Sequence, residues 1–158
     1  MNKIVDIADA VVSNDPDTIL ITYSLGSCIG VGIHDPVAGV GGMIHCMLPL
    51  SRVDGEKAKS RPYMFVDTGM SLFLKQLFDM GMTKANAAIK VAGCSCILDK
   101  NGMFKIGERN YTVFRKILWK NGMLIAAEDT GGEVSRTIRL EIGTGRFTVK
   151  SKGEEREI

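Results

Sequence analysis

With 158 residues, 45% of them apolar and 24% charged, the chain has the size and balance of one soluble globular domain, residues 1–158. Its 20 basic and 18 acidic residues leave a formal charge of only +2, which excludes an electrostatic footprint for nucleic acid or an acidic membrane surface. The N-terminus lacks the basic start and apolar run of a signal peptide, and no apolar stretch approaches the ~18–20 residues of a membrane span, so a cytoplasmic protein is expected.

Ile4 to Val12 and Thr18 to Ser24 are rich in Ile, Val and Thr and read as strands, joined by the turn Asn14-Asp15-Pro16-Asp17. Cys28 to Ile33 and Val40 to Leu48 are apolar runs flanking His34-Asp35-Pro36-Val37-Ala38-Gly39, where Asp-Pro followed by Gly predicts a hairpin with His34 as a turn residue. The polar stretch Ser51 to Arg61 reads as a surface loop. Met64 to Met80 has helical spacing: Val66, Met70, Phe73, Leu74, Leu77 and Phe78 share one side, with Pro62 in the first turn and Gly81 as the stop. Ala85 to Ala92 is a nearly all-apolar strand. Tyr111 to Lys120 predicts a second helix with Asn110 as its N-cap and Arg109 as a surface charge, the alternative being that the two shape the rim of a site. Met123 to Ala127, Thr137 to Ile142 and Arg146 to Lys150 follow as strands. Glu128 to Gly132 reads as a strand end and turn, Gly143-Thr144-Gly145 as a tight hairpin turn, and Lys150 to Ile158 as a frayed, charged tail. Strands outnumber the two amphipathic helices, which predicts a layered α/β fold with the helices covering sheet faces.

The four cysteines, Cys28, Cys46, Cys94 and Cys96, belong to a reducing compartment on this reading, so they are core residues, metal ligands or nucleophiles rather than disulfide partners. Cys28 follows the small turn Gly26-Ser27, where a substrate carbonyl can come close to the thiol and where backbone N–H groups can face a developing oxyanion. A thiol needs a base at neutral pH. His45 is an imidazole inside an apolar strand, and antiparallel pairing about Asp35 to Gly39 brings it to the same hairpin end as Cys28. The alternatives are a small buried hydrophobe for Cys28 and a satisfied core histidine for His45. A metal site built from Cys94-x-Cys96 with Cys28, Cys46 and His45 lacks the usual two-residue ligand spacing.

Thr22, Gly26-Ser27-Cys28 and His45, with cysteine six positions after threonine and histidine seventeen beyond it, resemble the active-site pattern of the chemoreceptor glutamine deamidases, the CheD family. The resemblance continues through Asp35-Pro36, His45-Cys46-Met47-Leu48-Pro49, Ile106-Gly107-Glu108-Arg109-Asn110 and Glu128-Asp129-Thr130-Gly131-Gly132, and so covers nearly the whole chain. Cys94-Ser95-Cys96, standing where the family usually carries a Gly-rich stretch, and Glu133-Val134-Ser135-Arg136 depart from the pattern without touching the Thr–Cys–His set.

The resemblance implies a layered α/β/β/α sandwich with mixed sheets, similar to a toxin-type cysteine deamidase. It also implies hydrolysis of receptor glutamine side chains to glutamate with release of ammonia. Cys28 is then the nucleophile, His45 its base, and Thr22 the group that orients His45; the Cys28 N–H, with Ser27 and Gly26, is the candidate oxyanion and substrate-binding element. No cofactor or metal is implied. The implied partners are the helical signalling domains of methyl-accepting chemotaxis receptors and a CheC-type phosphatase. A receptor methylesterase or amidase using the same Cys–His pair, and a regulatory binding module with an inert Cys28, are the alternatives.

Overall fold

The computed structural model describes residues 1–97 and 105–158. In chain order its strands are β1 (Asn2–Ile4), β2 (Asp9–Ser13), β3 (Ile19–Leu25), β4 (Ile29–Asp35), β5 (Val40–Cys46), β6 (Ala88–Gly93), β7 (Ile125–Thr130), β8 (Arg136–Glu141), β9 (Phe147–Ser151) and β10 (Glu154–Glu157). Its helices are α1 (Gly55–Ser60), α2 (Val66–Asp79) and α3 (Ile106–Lys120). The strands form two five-stranded sheets, of order β1-β3-β8-β9-β10 and β2-β5-β4-β6-β7. Both are mixed: β1–β3 and β6–β7 run parallel, and the other pairs antiparallel.

Side-chain alternation along the second sheet divides the core in two. Ile29, Val31 and Ile33 of β4 and Val40, Ile44 and Cys46 of β5 pack with Val66, Met70, Phe73 and Leu77 of α2 and Phe114 and Leu118 of α3. Met43 and Ala92 belong to a second cluster, with Leu20, Leu25, Ile138, Leu140, Phe147 and Val149 of the first sheet. The layered α/β sandwich of mixed sheets expected from the sequence is therefore present. Its layers run helices, second sheet, first sheet: among the described residues, no helix covers the outer face of the first sheet, where Tyr23 is exposed.

Several element boundaries differ from the sequence reading, each for a local reason. Ile4 to Val12 is not one strand: β1 joins the first sheet and β2 the second, and the chain crosses between them at Ala8, whose φ is +61°. Ser51 to Arg61 is not loop alone, for it contains α1, which Asp54 caps by accepting from the Lys57 N–H. Pro62 opens a separate 3-10 turn, and α2 begins only after the extended Phe65. His34 is a buried strand residue whose Nε2 lies 2.9 Å from the Ile142 carbonyl. The second helix starts at Ile106, so Asn110 lies inside it and is not its cap. The charged tail is not frayed, because β10 pairs with β9 over four residues on each side.

Candidate active site

The antiparallel β4–β5 hairpin places Gly30 opposite His45 and Ile29 opposite Cys46. The carboxylate of Asp35 holds its turn by accepting from the N–H groups of Val37 and Ala38, and ties it to the loop after α2 by accepting from Thr83. Cys28 stands directly before β4, half-buried against the cluster between the sheets. The hairpin thus brings Cys28 and His45 to one end of the sandwich, as their register predicts.

The turn carrying Cys28 is tied back by every one of its carbonyls. The Gly26 carbonyl accepts from the Ser95 N–H at 2.9 Å, that of Cys28 from the Cys94 N–H at 2.9 Å, and that of Ser27 from Asn110 Nδ2 at 2.9 Å. The N–H groups of Gly26, Ser27 and Cys28 have no backbone acceptor among the described residues. Two glycines permit the approach. A Cβ at Gly93, where φ is +101°, would stand 2.4 Å from the Cys28 carbonyl oxygen, and one at Gly107 would stand 2.6 Å from the Cys94 carbonyl. Behind this turn the buried Arg136 donates to the Gly93 carbonyl and to Ser95 Oγ, and pairs with Asp129. That network fixes the 93–95 segment against which Cys28 rests.

Thr22 joins the two sheets at the site. Its Oγ1 lies 2.6 Å from the Val5 carbonyl and 2.7 Å from His45 Nδ1. A carbonyl can only accept, so the hydroxyl proton goes to Val5, and Thr22 must accept from the Nδ1–H of His45. The proton therefore sits on Nδ1, and Nε2 carries the bare lone pair. Nε2 is buried and has no hydrogen-bond partner among the described residues. The His45 carbonyl accepts from the Ala8 N–H at 2.9 Å, which seats the ring's strand on the segment that crosses between the sheets.

Burial sets the charge state. Desolvation pulls the His45 imidazole down to about 4, so it is neutral at pH 7. Desolvation raises the Cys28 thiol, and its own backbone N–H offsets part of that rise. The resting pair is therefore thiol and imidazole, rather than thiolate and imidazolium. Such an arrangement takes the proton as the thiol attacks. Burial also pushes Cys94 up to about 12 and raises Cys46 strongly, so neither competes as a nucleophile. Among the described residues, no group of three or more His, Cys, Asp or Glu side chains is placed to hold a metal ion.

Of the sequence-derived candidates, Thr22 touches His45, and Cys28 with Gly26 and Ser27 stands at the same end of the β4–β5 hairpin. Arg109 is exposed. Asn110 is the residue the sequence reading misplaced: it is fully buried, and Nδ2 also donates to the Met47 carbonyl at 3.1 Å, so it bridges the turn before Cys28 and the segment after His45. Its Oδ1 has no partner, an arrangement that costs about 1–3 kcal/mol. The spacing Gly107-x-x-Asn110 on one helical turn was the available signal: the glycine lets the helix approach, and the asparagine then reaches the backbone beneath.

Residues 47–151 match the family described as CheD chemotactic sensory transduction. That span begins beyond His45 and does not include Thr22, Cys28 or His45. A Syntrophus aciditrophicus protein named "Probable chemoreceptor glutamine deamidase CheD 1" is 51% identical over 95% of this chain and 94% of its own length. A Solibacter usitatus protein named "Probable chemoreceptor glutamine deamidase CheD" is 45% identical over 98% of this chain and 92% of its own. Among solved structures, a Neisseria meningitidis protein superposes on 83% of this chain and 62% of its own, with 11% identity and a TM-score of 0.46.

Proposed function

This chain belongs to the CheD family of chemotactic sensory transduction, and from that membership we propose that it is a single-domain cysteine deamidase of chemoreceptor glutamines. Cys28 Sγ attacks the carboxamide carbon of a receptor glutamine and passes its proton to His45 Nε2. The negative charge that develops on the carboxamide oxygen faces the Cys28 N–H. His45 returns the proton to the departing nitrogen, which leaves as ammonia, and a thioester remains. Nε2 then takes a proton from water, the hydroxide attacks the thioester carbon, and Cys28 regains its proton as glutamate is released. Thr22 holds the imidazole in the required tautomer throughout, in the role of the third member of a triad.

The observation that carries this reading is the bare, buried Nε2 of an imidazole fixed by Thr22, at the hairpin end that also presents the Cys28 thiol. The receptor substrate is a helical coiled coil, so recognition runs along a surface beside Cys28. Next to Ala8, which donates to the His45 carbonyl, stands the exposed Ile7, whose carbonyl accepts from Arg61. A CheC-type phosphatase is the second partner that family membership suggests, placing a helix where the receptor helix sits. No described helix is long and apolar enough to cross a membrane, in keeping with action on the cytoplasmic signalling domain of the receptor.

The test is ammonia release together with the amide-to-acid mass change on purified receptor signalling domain, for wild type and Cys28→Ala. Turnover by the first and none by the second is expected. Turnover by Cys28→Ala at the wild-type rate would remove Cys28 from the reaction.

A further inference from the structure

We propose that Asn110 is a positioning residue of the reaction, its side-chain amide fixing the Ser27–Cys28 peptide so that the Cys28 N–H is held on the oxyanion. The inference rests on the reading of Cys28 as nucleophile. Asn110 lies one turn into α3, fully buried, and both hydrogens of its amide are used: one on the Ser27 carbonyl at 2.9 Å, the other on the Met47 carbonyl at 3.1 Å.

The Ser27 carbonyl belongs to the same peptide unit as the Cys28 N–H. A trans peptide is planar, with its C=O and N–H pointing in opposite directions. Anchoring that carbonyl inward on α3 therefore turns the Cys28 N–H outward, toward the substrate side. Apart from its own sulfur, whose thiolate it favours, no group among the described residues competes for this N–H. The second bond reaches the segment that follows His45, so one side chain clamps the approaches to both reacting residues.

Two further observations argue that Asn110 does more than fill space. Its Oδ1 is left without a partner at complete burial, so the side chain is kept for its donors. Gly107, one turn earlier, lets the helix come within reach, since a Cβ there would stand 2.6 Å from the Ser95 carbonyl as well as that of Cys94. Neither feature serves helix stability, and Gly107 lets α3 close on the 94–95 segment to which the Cys28 turn is bonded.

The experiment compares two reactions of Cys28 in the full chain, for wild type, Asn110→Ala, Asn110→Ser and Cys28→Ala. The first is deamidation of the receptor signalling domain, read as kcat and KM. The second is alkylation by iodoacetamide, which needs the sulfur and its base but develops no oxyanion. Asn110→Ala is expected to lower kcat by about 10²–10³-fold, the usual loss for an oxyanion donor, with KM and the alkylation rate close to wild type. Should Asn110→Ala not fold, the ratio of kcat to alkylation rate is read on Asn110→Ser, whose single, shorter hydroxyl cannot serve both carbonyls and is expected to lower that ratio in the same direction. A kcat close to wild type in the folded variant overturns the inference. So does a parallel fall of kcat and alkylation, which assigns Asn110 to holding the Cys–His pair or the fold alone. Activity retained by Cys28→Ala overturns the nucleophile itself, whereas an inactive Cys28→Ala beside an undisturbed Asn110 variant overturns only this role.

Discussion

Thr22 has one hydroxyl proton and two neighbours within hydrogen-bond distance, and its division between them decides what His45 can do. With the proton committed to the Val5 carbonyl, the imidazole must give up its Nδ1–H and keep a lone pair on Nε2. Thr22→Val preserves the shape of the residue but removes the acceptor, leaving a buried Nδ1–H unmatched and the ring free to adopt the other tautomer. A fall in kcat of roughly 10²-fold is expected, smaller than the ~10⁴ seen when a charged orienting residue is neutralised. Thr22→Ser, which keeps the hydroxyl, should remain within a few-fold of wild type. Equal turnover by the Val and Ser variants would show that the hydroxyl is not used. The family resemblance implies this pairing but not its direction: the acceptor that fixes it is a backbone carbonyl at Val5, in a segment read only as strand. Asn110 was illegible for a related reason. Nothing about Lys105, which enters α3 with φ +47°, marks a helix start, so an asparagine one turn inside the helix looks like a cap.

Elements built for close approach depend on residues with no side chain to spare. Gly32 of β4 faces Phe147 of β9 across the space between the sheets, and a Cβ there would stand 2.6 Å from the ring. Gly32→Ala therefore overpacks the core and should cost about 1–3 kcal/mol. Phe147→Leu creates its own loss, but combining the two relieves the clash. The double variant is expected to be more stable than the sum of the single changes predicts, by about 0.5–3 kcal/mol in denaturant titrations. Strict additivity would mean that the sheets part to accept the methyl. The hairpin and α2 were legible because alternation, Asp-Pro and helical spacing all act locally. The break at Ala8 was not, since the Ile and Val residues of Ile4 to Val12 read as one strand despite Asp6, Ala8 and Asp9 between them, and the need to serve two sheets divides it. β10 was hidden as well: its four residues are all charged and exposed, so no apolar alternation announces the strand.

Two sheets closing over a neutral histidine make the stability of the whole molecule depend on pH. His45 is 1% exposed, between a Thr22 that cannot carry charge and the apolar cluster of the two sheets. Its pKa lies near 4 in the fold, against 6.5 for the unperturbed group. Between those values the unfolded chain binds a proton that the folded one refuses, so stability rises with pH through that window. Its full value is present above pH 6.5 and is lost progressively as pH falls toward 4, by about 3 kcal/mol from this residue alone. That is a large share of the ~5–15 kcal/mol that holds a domain together. Urea unfolding at pH 7 and pH 4 should therefore show a smaller difference for His45→Gln than for wild type, by roughly that amount, because glutamine cannot take the proton. The carboxylates contribute equally to both proteins and cancel in the comparison. Identical pH dependence in the two would mean that His45 is protonated in the fold as readily as in the unfolded chain. A ring that titrates near 6.5 is still mostly neutral at pH 7 but becomes an imidazolium below that value, where it could not act as the base that Cys28 requires, so the same titration also sets the pH at which the chemistry fails.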